Sequence, residues 1–198
     1  MTAPSTESVS NLRRRLIATA GLVALSSRTG FALADGMGPV RPRRAAPSLQ
    51  LRRNDGRSVT LADQLKGGVT AVQLMFTGCS AVCPLQGNLF ASLQAALSAQ
   101  SMRDVRLLSL SIDPLGDSPA ALSGWLKQYG ANAHWSGAAP TAADLDRMLD
   151  FLGKRGQTLG DRHTTELHLF DPEGRLAWRT SGLPPVAEVI AALTQLRA

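Results

Sequence analysis

Residues 69–84 have the sequence VTAVQLMFTGCSAVCP, and this stretch decides the fold. The run from Val69 to Phe76 is almost continuously apolar, which predicts a β-strand buried on both faces. The residues after Cys83 predict a helix over 84–99, because Pro84 suits an early helical position and leucines recur at every fourth residue. A buried strand that leads into a helix is half of a βαβ unit, so the stretch predicts an α/β fold.

Outward from this unit, strands and helices alternate and the chain ends in an antiparallel pair followed by a helix. The predicted elements are a hairpin at 49–61, a strand at 105–112, helices at 118–129, 141–152 and 185–197, and a hairpin at 165–179. This order predicts an α/β fold with a central mixed sheet, flanking helices and an N-terminal β-hairpin. Cys79 and Cys83 then lie at the carboxyl end of a strand, where such folds usually position their chemistry.

The first 34 residues have the features of an export signal. Residues 13–15 are three arginines, residues 16–27 are moderately apolar and too short to span a bilayer comfortably, and residues 32–34 match a cleavage site. We therefore predict an export signal or anchor at 1–34, used by a Sec or a twin-arginine route. The protein is then expected in the periplasm, or anchored in the inner membrane and facing the periplasm.

Two further segments complete the predicted domain organisation. Residues 35–47 are rich in Pro, Gly and Arg without periodicity, which predicts a flexible basic linker. Residues 48–198 form the predicted globular domain. The formal net charge is +6, but a single Tyr and few Phe or Trp leave no stacking surface for bases, so we predict no nucleic-acid partner.

The only two cysteines, Cys79 and Cys83, could form a disulfide, exchange electrons with another thiol pair or hold a soft metal ion. A structural disulfide is a poor explanation, because so short a loop constrains the unfolded chain little. Outside the cytoplasm, thiols stay reduced only if a reductant or a metal protects them. Helix N-terminal amides stabilise anions, so we expect a lowered pKa for both thiols, which serves redox and metal chemistry alike.

Two sulfurs make a weakly selective metal site, so a third ligand has to be sought among three histidines. His168 lies within a predicted strand, and His134 lies in a short segment without other polar groups. His163 lies in a loop just before a strand. By itself, a lone histidine is more often structural than a ligand.

Other metal-binding side chains have structural explanations that are at least as good. Met75 and Met148 lie in apolar segments and are predicted to be core residues. Asp113 could orient a ligand or contact a partner, but a turn-capping role is at least as good an explanation. Turn formation is also the favoured role for Asp161 and Asp171.

Three segments, in order and spacing, resemble the motif blocks of the SCO/SenC family of copper chaperones. They are FTGCSAVCP at 76–84, SIDPLGDSP at 111–119 and DRHTTELHLFDPEGRL at 161–176. The resemblance covers about Leu49 to Ala198 and implies a thioredoxin-like fold. Departures are Gln73-Leu74-Met75, where aromatic residues are usual, and Gly116, where a charged residue is common.

The resemblance also implies a site and a function. It implies that copper, as Cu(I) or Cu(II), binds Cys79, Cys83 and His163, which agrees with the preference of Cu(I) for thiolates and of either ion for imidazole. It implies that the protein assists maturation of the CuA centre of cytochrome c oxidase by delivering copper, by reducing the target's cysteines, or both. The expected partners are the CuA subunit or another cuproprotein, and a thioredoxin-like reductant, with a membrane tether through the N-terminus.

Two function hypotheses therefore stand side by side. The first is an exported copper-binding metallochaperone. The second is a thiol–disulfide oxidoreductase that uses Cys79 and Cys83 without metal to keep exported target cysteines reduced, so enzymatic activity stays an open question. His163 discriminates between them, because a pure dithiol reductase needs no imidazole at that position.

Overall fold

The computed structural model describes residues 37–154 and 164–197, and they build one eight-stranded mixed sheet with helices on both faces. The strands are β1 (Gly38–Ala45), β2 (Gln50–Arg53), β3 (Ser58–Thr60), β4 (Thr70–Met75), β5 (Arg106–Ser111), β6 (Trp135–Pro140), β7 (Leu167–Phe170) and β8 (Arg175–Arg179). The helices are α1 (Leu61–Leu65), α2 (Cys83–Ala99), α3 (Pro119–Gln128), α4 (Leu145–Phe151) and α5 (Val186–Arg197). None of these helices is long and apolar enough to cross a membrane.

The strand order is β1-β8-β7-β4-β5-β6-β2-β3. The three strands β4, β5 and β6 are parallel, and every other neighbouring pair is antiparallel. The predicted mixed sheet and the N-terminal hairpin, formed by β2 and β3, are therefore confirmed. The carboxyl ends of β4 and β5 lie side by side, because Met75 pairs with Ser111.

Strand β4 is central, and every one of its residues is buried. Its side chains alternate between two apolar layers: Ala71 and Met75 pack on one face, and Val72 and Leu74 pack on the other. A strand covered on both faces has no need of polar alternation, which is why its sequence is an almost unbroken apolar run.

Each face of the sheet is covered by its own set of helices. Helices α2, α3 and α5 cover the first face, with the buried residues Phe90, Leu93, Leu122, Trp125, Val189 and Leu193. Helices α1 and α4 cover the second face, with Leu61, Leu65, Met148, Leu149, Phe151 and the neighbouring Leu152. Layered packing of this kind buries both sides of the sheet.

Two helix starts show that local capping sets one element boundary and a tertiary contact accompanies the other. The Ser118 side chain accepts a hydrogen bond from the Ala121 amide (3.2 Å), and Pro119 is the first residue of α3, as predicted. Helix α4 begins only at Leu145, later than the capping pattern at Thr141 predicts. The Asp144 carboxylate accepts a hydrogen bond from the Gln50 amide of β2 (2.9 Å). This bond connects the turn that precedes α4 to the sheet.

The predicted flexible linker at 35–47 is wrong for most of its length, because Gly38–Ala45 forms the edge strand β1. Its pairing with β8 is interrupted by a register shift between Pro39 and Arg44. The segment gives no periodic signal because most of its side chains are exposed and its prolines cannot donate to a ladder. The predicted export signal at 1–34 lies outside the described residues, and its boundary with the domain stays a prediction.

Two further elements were missed from the sequence. Strand β6 has the sequence WSGAAP, which contains no β-branched residue. It forms a strand through its parallel pairing with β5. Helix α1 is only five residues long, too short for a periodic pattern to emerge. Both are fixed by tertiary contacts more than by local propensity.

Candidate metal centre

The two cysteines lie where the sequence places them, at the junction between β4 and α2. Cys83 is the first residue of α2, and its side chain is only 2% exposed because it packs into the first apolar layer. Cys79 belongs to the connecting loop and is partly exposed, with its amide bonded to the Phe76 carbonyl (3.2 Å). No disulfide joins them in the structure.

Cys79 and Cys83 change each other's acidity, and in opposite directions. Burial by itself would raise the pKa of Cys79. The bond from the Cys83 thiol and the backbone amides of Cys83, Ala81 and Val82 outweigh burial, so the pKa of Cys79 is lowered. Cys79 is therefore the thiol that more readily becomes a thiolate, the form that attacks disulfides and binds metal.

Cys83 behaves in the opposite way, so the prediction that both thiols are acidic is wrong for this one. Burial, the hydrogen bond to Cys79 and the negative charges of Cys79 and Asp117 together raise the pKa of Cys83 to about 12. The start of a helix favours an anion, but here that effect is smaller than the cost of desolvating the charge.

The loop that contains Cys79 is held from the neighbouring strand by Asp117. This buried carboxylate accepts from the Thr77 amide (3.1 Å), the Thr77 hydroxyl (2.6 Å) and the Ser111 hydroxyl (2.6 Å). Thr77 is two residues before Cys79, and Ser111 ends β5. The carboxyl ends of β4 and β5 are thus joined directly below the cysteine loop.

Tyr129 packs against the early part of α2, the helix that begins with Cys83. A Cβ atom added at Gly87 would lie 2.5 Å from the Tyr129 ring, so the aromatic ring packs directly on the backbone of α2 one turn beyond Cys83. Burial first, and then the negative charges of Cys83 and Cys79, raise the pKa of Tyr129. Glycine is required at position 87 because any side chain would displace this ring.

A buried glutamine connects the cysteine helix to the chain just after His163. Gln86 lies one turn along α2 from Cys83, and its Nε2 donates to the Thr164 carbonyl over 2.9 Å. Thr164 precedes β7, whose Leu167 pairs with Gln73 of β4. The described chain therefore resumes beside the first turn of the cysteine helix.

The histidines are distributed as follows. His163 lies outside the described residues. His134 is exposed at the start of β6, and its carbonyl accepts from the Leu107 amide near the start of β5, at the end of the sheet opposite the cysteines. His168 is buried on the second face of the sheet, with Nε2 3.3 Å from the Leu152 carbonyl, and desolvation lowers its pKa to about 4. His168 therefore packs in the core.

The remaining candidates within the described residues have structural roles. Met75 and Met148 are fully buried core residues. The Asp113 carboxylate accepts from the Gly116 amide (3.0 Å) and stabilises a turn. Asp171 accepts from the Arg175 amide in the β7–β8 turn and pairs with Arg43 (2.9 Å). Asp161 lies outside the described residues.

Within residues 37–154 and 164–197, no group of three or more His, Cys, Asp and Glu side chains is placed to hold a metal ion. The donors that the described residues bring together are the two sulfurs of Cys79 and Cys83. Soft sulfur donors select copper in its reduced state or zinc, and a closed zinc site usually needs four ligands. The donor set therefore fits a soft ion with one further ligand.

Three residues around the pair, Asp117, Gln86 and Tyr129, were missed from the sequence. Asp117 lies within the quoted block at 111–119, but its role depends on the pairing of β4 with β5, which only the fold creates. Gln86 gave a weak signal as a polar residue within the apolar pattern of α2. Tyr129 gave none, because its contact depends on the packing of the end of α3 against α2.

A comparison with protein families decides the family of this chain. The family model described as SCO1/SenC matches residues 40–198, the greater part of the sequence. The chain belongs to the SCO1/SenC family. The resemblance inferred from the three motif blocks is thereby confirmed.

Two relatives illustrate the similarity of this SCO1/SenC protein to curated sequences. It is 37% identical over 81 residues to a SCO1 protein homolog of Bacillus subtilis, which covers 41% of this chain and 39% of that protein. It is 30% identical over 141 residues, 67% of each chain, to a protein of Stutzerimonas stutzeri described as copper-binding. The chain thus matches about two fifths of the length of the first relative and two thirds of the second.

Solved structures support the fold. BsSco, a member of the Sco family of cytochrome c oxidase assembly proteins, is 23% identical, with a TM-score of 0.66 over 78% of this chain and 94% of BsSco. ScoI of Bradyrhizobium japonicum, solved with copper bound, is 25% identical, with a TM-score of 0.62 over 76% of this chain and 98% of ScoI. The thioredoxin-like fold that the motif resemblance implies is therefore confirmed.

Proposed function

We propose that this SCO1/SenC protein is an exported metallochaperone that holds copper on Cys79, Cys83 and His163 and assists maturation of the CuA centre of cytochrome c oxidase. The observation on which the proposal rests is the hydrogen bond of Gln86 to the Thr164 carbonyl (2.9 Å). It joins the residue next to His163 to the helix that begins with Cys83. His163 directly precedes Thr164 in the sequence, which makes it our candidate for the third ligand.

The chemistry of the cysteine pair supports the same proposal. Hydrogen bonding between the two sulfurs, which lowers the pKa of Cys79 and raises that of Cys83, supports a pair that can share one ion. A metal ion that displaces the Cys83 proton replaces this bond with two coordinate bonds, so binding should release protons. Partial exposure of Cys79 leaves the ion within reach of an acceptor, as a cargo that must be given up requires.

The relatives agree with copper and with the oxidase. One relative is described as copper-binding, and ScoI of Bradyrhizobium japonicum is solved with copper bound. BsSco is described as a member of a family of cytochrome c oxidase assembly proteins. For this chain we infer a CuA subunit, or another cuproprotein, as the acceptor, and an export signal at 1–34 that brings the domain to the periplasm or holds it at the inner membrane.

The different environments of the two thiols favour a second candidate function, thiol–disulfide exchange without metal. The Cys79 thiolate would attack one sulfur of a target disulfide and release the other as a thiolate. Cys83 would then lose its proton and attack the Cys79 sulfur, which releases the second target thiolate and leaves a Cys79–Cys83 disulfide. Two electrons pass to the target, and a thioredoxin-like reductant would have to return them.

Titration of the full-length reduced chain with Cu(I) and with Cu(II) tests the first function. We expect one equivalent of copper to bind, His163→Ala to weaken binding, and Cys79→Ser or Cys83→Ser to weaken it more. His134→Ala is the matched control, because His134 is exposed at the opposite end of the sheet. If His163→Ala and His134→Ala bind both ions as tightly as the unmodified chain, the three-ligand site is wrong.

The second function is tested by mixing the reduced chain with an oxidised CuA domain and quenching aliquots with acid. Appearance of target thiols together with a Cys79–Cys83 disulfide would support reduction of the target. If no thiols appear while copper still binds and transfers, the protein acts as a metallochaperone alone.

A further inference from the structure

Three large apolar side chains are exposed at the end of the sheet where the cysteines lie. They are Leu85 (52% exposed), Leu115 (88%) and Leu183 (41%), and we refer to them as the leucine rim. Met37 (70%) is the other large apolar residue exposed to this degree in the described part of the chain. It adjoins Gly38, which pairs with Arg179, and so lies at the same end of the sheet.

Leu115 is placed next to the cysteine loop by the Asp117 hydrogen bonds. It lies at the tip of the turn that joins β5 to α3, between Asp113 and Asp117. Because Asp117 binds the amide and the hydroxyl of Thr77, this turn lies against the loop that leads to Cys79.

The other two leucines approach the pair from the helix and from the opposite side of the loop. Leu85 is on the first turn of α2, two residues after Cys83. The amide of Leu183 donates to the Thr165 carbonyl (3.0 Å), and the adjacent Thr164 carbonyl binds Gln86. The strand order therefore places the cysteine loop between the loops of Leu183 and Leu115, about 14 Å apart for three strand spacings.

Leu183 is exposed on a strained backbone. Its φ is +46°, in the left-handed region that branched and bulky residues rarely adopt, and Pro184 follows it. Glycine or asparagine would adopt this conformation at lower cost. A leucine that neither suits its backbone nor fills the core is better explained by contact with another molecule.

The described segments that contain the leucines and the cysteine loop have little charge, although the protein is basic. The segments 77–85, 113–116 and 181–184 contain one charged side chain, Asp113, and its carboxylate is bonded to the Gly116 amide, while the formal net charge of the chain is +6. Apolar residues grouped on a surface, as distinct from single ones, mark interaction sites.

We propose that the leucine rim is the docking surface for a folded partner domain that presents its metal-binding thiols on an uncharged, apolar face. This inference rests on the proposed function, and it identifies the CuA domain as the occupant. Copper can pass from Cys79 to a partner sulfur only when both sulfurs bind one ion, which brings them within about 4 Å of each other. The residues that encircle Cys79 must then contact the partner. A rim of this width fits a small, transient interface.

The test compares copper transfer to a protein with transfer to a small molecule. The full-length chain is loaded with Cu(I) and mixed either with the apo CuA domain of a cytochrome c oxidase or with the chelator bathocuproine disulfonate. The measured quantity is the rate constant for copper transfer to the domain divided by the rate constant for transfer to the chelator. For the double variant Leu85→Gln/Leu115→Gln, we expect this ratio to fall at least about tenfold. Leu183→Asn, which suits the left-handed backbone, should lower the same ratio without loss of folding.

The matched control is Ala95→Gln. Ala95 is exposed on α2, ten residues beyond Leu85 and so about 15 Å further along the helix. This variant introduces the same side chain on the same helix outside the leucine rim, and the ratio of the two rate constants should be unchanged.

Three results would overturn the proposal, and they differ from one another. Equal slowing with the domain and the chelator, or no slowing with either, removes the leucine rim as a docking surface while the proposed function stands. A wild-type chain that sediments as a dimer, and a double variant that sediments as a monomer, would assign the rim to self-association. A loaded wild-type chain that passes no copper to the domain would overturn the proposed function together with its partner.

Discussion

Cys79 and Cys83 are separated by three residues, yet their environments are opposite. Cys79 lies on a loop, is partly exposed and has a lowered pKa. Cys83 begins a helix, is 2% exposed and has a pKa raised to about 12. The thiol at the helix start is thus the less acidic one, which shows that burial outweighs the favourable field of the helix at this site.

The difference gives each cysteine a separate task in either proposed chemistry. Cys79 offers a thiolate at the surface, where an ion or a disulfide arrives. Cys83 holds its proton until a metal or a mixed disulfide makes its loss favourable. The hydrogen bond between them links these tasks, because the proton that Cys83 keeps is the one that stabilises the Cys79 thiolate.

The largest effect is expected from Asp117→Ala, which removes the support beneath the Cys79 loop. The Thr77 amide and the hydroxyls of Thr77 and Ser111 lose their acceptor. Buried donors without partners should lower the free energy of unfolding by about 3 kcal/mol, measured by urea denaturation. Asp113→Ala, in the same turn but with one bond to Gly116, is the control and should cost less than about 1 kcal/mol.

The second prediction tests the contrast between the thiols directly, by mass spectrometry after brief treatment with iodoacetamide at pH 7. The pKa of Cys83 is about 12, and that of Cys79 lies below the usual 9.0. At pH 7 the thiolate fraction of Cys79 is then at least about 1000-fold larger than that of Cys83. A less basic thiolate is a weaker nucleophile, which reduces this advantage by a factor of about 20. We expect Cys79 to react at least about 50-fold faster.

The pH profile of this reaction has a definite sign. Because the pKa of Cys79 is lowered, its alkylation rate should level off at a lower pH than that of an ordinary thiol. Equal rates for the two cysteines, or a Cys79 profile identical to that of a free thiol, would contradict the contrast. In Asp117→Asn, loss of a negative charge near Cys83 should lower the pKa of Cys83. The difference between the alkylation rates of Cys79 and Cys83 should then become smaller.

A third, smaller effect is expected from Gln86→Met, which removes the bond from the cysteine helix to Thr164. Copper affinity should fall about tenfold, as it does when residues that orient metal ligands are replaced. Gln94→Met is the matched control, because Gln94 also donates to a backbone carbonyl, that of Gly130, from the same helix (3.0 Å). Equal copper affinity in the two variants would show that Gln86 does not orient the site.

The smallest effect is expected from Cys83→Ala, measured on the reactivity of Cys79. Loss of the thiol that donates to the Cys79 sulfur should raise the pKa of Cys79. Alkylation of Cys79 at pH 7 should then slow by about twofold to fivefold, since the backbone amides that also stabilise the thiolate remain. Ser80→Ala, an exposed neighbour, should leave the rate as it is. Faster alkylation in Cys83→Ala would reverse the assigned direction of the hydrogen bond.

The central part of the fold could be predicted from the sequence because local and global signals agree there. The apolar run before Cys79 predicts β4, and the proline and leucine pattern after Cys83 predicts α2. Strands β1 and β6 could not be predicted, because their residues have low strand propensity and pair only once β8 and β5 are in place. An edge strand with exposed arginines and prolines has the same composition as a linker.

The sequence by itself determined the family, the thioredoxin-like fold and the position of the two thiols at the end of a buried strand. These depend on short-range patterns and on three ordered motifs. Tertiary structure alone decided the acidity of each thiol, the support that Asp117 gives to the cysteine loop and the grouping of three exposed leucines around Cys79. Such properties depend on burial and on contacts between residues far apart in the chain, which no local pattern records.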